Sequence, residues 1–171
     1  MNGNVLRTLL RAWLVIAVVD GIFATLLPVL AYGAALGRVW QGVASTLLGP
    51  SAMQGGGRTM LVGLVMHAGV AFAWTTLFLA LALLSPALRR LVERPAGIVM
   101  VAAAYGPAIW MVMSLLVIPG LTGRAPTIND RWWVQLFAHI PFVALPIVAV
   151  IGRGLGGVHD VVPVRPVSGA T

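Results

Sequence analysis

Residues 12–31, 60–84, 96–118 and 132–152 are four apolar stretches almost free of charge, each about 20 residues or longer. At a rise of about 1.5 Å per residue, each matches the ~30 Å hydrocarbon core of a bilayer. Only 9% of the chain is charged and its mean hydropathy is +0.99, where a soluble domain carries about 25% charged residues. Soluble and disordered classes are excluded. The pattern predicts an all-α membrane protein: one domain, residues 1–153, of four transmembrane helices. Residues 154–171, with Pro163 and Pro166, read as a poorly ordered cytoplasmic tail.

The charges give an orientation. All 11 basic residues are Arg, opposed by Asp20, Glu93, Asp130 and Asp160. In a soluble chain this excess would suggest nucleic acid, but most of these arginines flank apolar stretches, so nucleic acid is not an expected partner. Arg7, Arg11, Arg89, Arg90, Arg94, Arg153 and Arg165 fall on one side of a four-span arrangement. Arg38, Arg58, Arg124 and Arg131 fall on the other. The larger set marks the cytoplasmic side and places both termini there, in the inner membrane of a bacterium. The first stretch is long enough to span and carries Asp20, which favours a retained helix over a cleaved leader. Trp13, Trp40, Trp132 and Trp133 fall near the expected interfaces, as an aromatic belt requires.

The connection 32–59 contains Trp40, Val43, Ala44, Leu47 and Leu48 at helical spacing, which predicts a short amphipathic helix lying in the interface. Gly49-Pro50 ends it and Gly55-Gly56-Gly57 leads into the second span. No phosphate-binding GxxxxGK[ST], GxSxG or HExxH motif occurs, and there is no Cys for a thiolate site or disulfide. Catalysis is not expected.

Four polar groups inside the spans carry whatever chemistry the bundle has. Asp20 is the one acid clearly within a span, where a charge costs about 2.5–3.5 kcal/mol on insertion scales; it must face the interior, be paired or be protonated. Tyr105, at similar depth in the third span, is a candidate donor to it. His67 and His139 each lie about seven residues inside parallel spans, hence at one depth. They read as interhelical glue, as proton or substrate contacts, or as ligands of haem b or another metal. Pro28, Pro107, Pro141 and Pro146 predict kinks. Asn129-Asp130 reads as a helix N-cap, and Trp74, Trp110, Met111 and Met113 as packing or lipid contacts. The halves also overlay: Asp20-Gly21 with Tyr105-Gly106, and Leu64-Val65-Met66-His67 with Leu136-Phe137-Ala138-His139, as a parallel repeat would.

Asp20-Gly21, the run Trp40-Gln41-Gly42-Val43-Ala44-Ser45, Leu47-Leu48-Gly49, Gly55-Gly56, His67, Tyr105-Gly106, Pro119 and His139 together resemble a family of uncharacterised small four-helix bacterial inner-membrane proteins, the YagU-like group. The resemblance implies the four-helix fold over nearly the whole chain and implies no activity. The functional expectation is therefore non-enzymatic: a structural or accessory subunit. Its partners are the lipid bilayer and a second copy or a larger membrane complex, with no cofactor. Two rivals stand beside it: a proton-linked carrier or channel using Asp20, His67 and His139, and an electron-transfer subunit with haem b held by the two histidines.

Overall fold

The four apolar stretches are helical throughout, and each helix outruns its stretch. In the computed structural model, which describes residues 3–156, α1 runs Gly3–Ala31. The remaining long helices are α3 (Gly56–Leu84), α5 (Pro95–Thr122) and α6 (Asp130–Gly156). All four are long and apolar enough to cross a membrane. At 27–29 residues they exceed the ~20 needed for a perpendicular crossing, so they tilt or project. Helix α6 continues to Gly156, into the expected tail; the rest of that tail lies outside the described residues.

Two short helices complete the set: α2 (Leu36–Leu48) and α4 (Pro86–Val92). Helix α4 starts with Pro86 in its first turn, and Ser85 Oγ caps it by accepting from the Leu88 N–H. Helix α2 ends at Gly49, whose φ of +78° a side chain would resist. A single 3₁₀ turn, Pro50–Gln54, then leads into α3. Gly123, at φ +67°, ends α5 in the same way. Asn129 caps α6, its Oδ1 accepting from the Trp132 N–H at 3.1 Å, as the sequence predicts.

The prolines are absorbed less by sharp breaks than by widened π turns. Pro28 lies in Leu27–Ala31 and Pro141 in Ile140–Ala144; the third π turn, Met113–Val117, contains Leu115, whose carbonyl Pro119 frees, while Pro107 lies within regular helix. A proline frees the carbonyl four residues back, and a wider turn lets the chain resume its ladder.

Packing is unequal along the bundle. The fully buried core, including Ile16, Phe78, Ile147, Val148 and Ile151, gathers towards the α4 end. There two glycines let backbones touch: a Cβ on Gly97 would overlap the Leu91 carbonyl, and one on Gly152 would lie 2.9 Å from the Val92 carbonyl. The α2 end is looser and holds the larger cavities. Helix α2 crosses α3 where Gly63 meets the Trp40 carbonyl, a contact that admits no side chain. Of the five residues expected on its apolar face, Trp40 and Ala44 are buried and Val43 lines a cavity, whereas Leu47 and Leu48 are exposed. The face exists, but only its first half is covered.

Candidate functional site

Asp20, His67 and His139 line one cavity of about 220 Å³ in the middle of the bundle. Asp20 comes from α1, His67 from α3 and His139 from α6. Their common position follows from helix phase: each lies on the inward stripe of its span, with Ile16, Ala71 and Val143, one turn away, on the same wall. Val43 of α2 and Ile109, Trp110 and Met113 of α5 complete the enclosure.

His67 Nε2 lies 3.8 Å from Asp20 Oδ2, and the two side chains are 15% and 19% exposed. This is the only ion-pair contact among the described residues. It is too long for a hydrogen bond, and His67 Nε2 is buried with no hydrogen-bond partner. The ring is held edge-on by Trp40, 5.3 Å between centroids, and backed by Gly21, whose Cβ, if present, would stand 3.6 Å from Nε2. Trp40, expected in an interfacial belt, is instead a wall of the histidine site.

His139 is oriented differently. Its Nδ1 pairs with the Gln135 carbonyl one turn earlier at 2.7 Å, which leaves Nε2 for other partners. The ring leans on Trp110 with centroids 4.9 Å apart. Gly106 allows α5 to meet the backbone here: a Cβ on it would lie 2.6 Å from the His139 carbonyl oxygen. The two glycines act differently: Gly21 faces the His67 ring, whereas Gly106 meets the backbone of His139.

Tyr105 does not join the site. Its hydroxyl donates to the Trp74 carbonyl at 2.8 Å, and its ring packs against Phe78 at 5.1 Å. The expected bond to Asp20 is not formed, because Tyr105 faces α3 one layer nearer the α4 end.

A second cavity, about 530 Å³, opens at the α2 end. The two cavities share Trp110, Ile118 and Gln135, so these residues form the partition between them. Arg124, Asn129 and Arg131 line the outer cavity, and Arg131 stacks over Tyr32 with its guanidinium carbon 4.0 Å from the ring centroid. Ser114, buried in its floor, accepts a hydrogen bond from Trp132 Nε1 at 3.0 Å. Sequence reasoning missed this chamber and treated Trp110 as packing. The signal was present in the one-turn spacings Trp110–Ser114 and Gln135–His139, polar groups repeating along one helix face.

Among the described residues, no group of three or more His, Cys, Asp or Glu is placed to hold a metal ion. The two histidine Nε2 atoms are suitable donors for haem iron. The cavity's volume of about 220 Å³ falls below the ~300–1,000 Å³ of cavities that take drug-sized ligands. No protein-family model, curated protein or solved structure matches the chain.

Proposed function

We propose that the chain is a proton-linked carrier or channel of a bacterial inner membrane, with its α2 end outside and both termini in the cytoplasm. One observation carries this reading: Asp20, His67 and His139 face a single cavity, separated only by Trp110, Ile118 and Gln135 from a larger chamber at the α2 end. A structural bundle has no need of three ionisable groups around one void, and such groups cost energy in a membrane unless they work. The Asp20–His67 pair, 3.8 Å apart, has two forms of equal net charge: neutral acid with neutral imidazole, or carboxylate with imidazolium. A proton can therefore change partners there without altering the total charge of the cavity. The chamber at one end and the dense core at the other correspond to an outward-open member of an alternating-access pair.

Proton flux tests the reading without knowledge of the solute. Purified protein in liposomes with an entrapped pH dye, driven by a potassium gradient and valinomycin, is expected to acidify the lumen. Asp20→Asn should cut the rate by about tenfold or more, the typical effect of losing a proton-transfer group. Equal rates in variant and wild type would overturn it and leave the accessory-subunit reading. That second reading has its own support: Leu14, Val18, Ile22 and Leu26 form an exposed apolar stripe on α1, suited to lipid, a second copy or a larger complex. Electron transfer through haem is disfavoured by the cavity size, and a Soret band in the purified protein would reinstate it.

A further inference from the structure

The outer cavity carries a charge pattern that a passage for protons does not require. Its lining includes Arg124 and Arg131 and no acidic residue. Among the described residues neither arginine has a carboxylate partner, since the one ion-pair contact is His67 with Asp20. The Arg131 guanidinium carbon sits over the Tyr32 ring, a cation–π contact that holds the group at the rim.

The floor adds two donors. Ser114 is only 8% exposed and spends an oxygen lone pair on the Trp132 indole, so its own O–H remains to donate. Trp110 Nε1, on the partition, is buried with no hydrogen-bond acceptor. A buried N–H without an acceptor costs about 1–3 kcal/mol unless something enters to accept it. Two guanidinium groups above without carboxylate partners and two spare donors below leave the chamber with positive charge that nothing in its lining neutralises.

We propose that this chamber is a binding site for one oxyanion group, a carboxylate or a phosphate, clamped by Arg124 and Arg131 and seated towards Ser114 and Trp110. Guanidinium suits such a group because its planar fork meets two oxygens at once. Binding itself does not depend on the proton-linked reading; that reading decides only whether the anion then passes Trp110 towards His139. The oxyanion has two sources, a small soluble acid or the headgroup of an anionic lipid.

Three arms separate the outcomes. The protein is placed in nanodiscs of neutral phosphatidylcholine and titrated with acetate, succinate and inorganic phosphate, with tryptophan fluorescence as readout, because Trp110 and Trp132 line the chamber. A parallel sample in discs containing phosphatidylglycerol reports the lipid source, with retained lipid counted by native mass spectrometry. Arg124→Gln, Arg131→Gln and Ser114→Ala are compared in both. Saturable binding that weakens about tenfold or more in either Arg→Gln variant, with partial recovery in Arg→Lys, supports the site. Response to soluble acids in neutral discs assigns a solute; retention of phosphatidylglycerol that is lost in the variants assigns a lipid headgroup. Absence of both, or binding indifferent to all three substitutions, overturns it. Because the arginines are exposed, their variants should fold, and circular dichroism checks this. Binding without proton flux would leave this site standing while removing the carrier.

Discussion

At Tyr105 one hydroxyl decides between two accounts of the third span. It donates to the Trp74 carbonyl and so ties α5 to α3 rather than serving Asp20. Tyr105→Phe is therefore expected to cost about 0.6 kcal/mol of stability, the usual worth of an interhelical hydrogen bond in a membrane protein. Unfolding in mixed micelles measures this, while proton flux in liposomes should stay within about twofold of wild type, an allowance of under 0.5 kcal/mol in barrier. A flux loss as large as that of Asp20→Asn would return Tyr105 to the site. The sequence located Asp20, His67 and His139 by depth, because depth follows from counting residues along a helix. It could not pair them, since pairing depends on rotation about each axis. A 100° step per residue turns a small phase error into a different neighbour.

The helix elements divide in the same way. The four long apolar helices were legible because a continuous apolar run of that length has few other uses in a protein. Helix α2 was legible as a helix but not in its packing, for its apolar face suits a lipid interface and a neighbouring helix equally well. What decides is Gly63, where the absence of a side chain admits the Trp40 backbone. Gly63→Ala must push α2 outward, and by analogy with overpacked cores this should cost about 1–3 kcal/mol. Gly69→Ala, where a Cβ would meet nothing within 4 Å, is the matched control and should be neutral or slightly stabilising through helix propensity. If thermal unfolding in detergent ranks the two equally, the crossing is not as tight as described. The π turns were invisible beforehand: a proline announces that a bond is lost, whereas the neighbouring helices settle how the ladder is resumed.

For the whole molecule, the arginine asymmetry predicts that fluorescent protein fused to either terminus will glow and that alkaline phosphatase fused there will be inactive. An active phosphatase fusion at the C-terminus would invert the proposed orientation, and the outer chamber would then open to the cytoplasm. The orientation also gives the uneven packing an electrical meaning. Phe78, Val148 and Ile151 belong to a closely packed apolar layer nearer α4, Ile16 and Ile147 line the inner cavity at the edge of that layer, and the outer cavity lies beyond it towards α2. If water fills those cavities, the conducting half of the span takes up little of the membrane voltage, which falls instead over the apolar layer. A unit charge crossing the full potential exchanges about 2.3 kcal/mol per 100 mV. A proton leaving Asp20 for the cytoplasm would then collect most of that work over about half of the membrane's thickness.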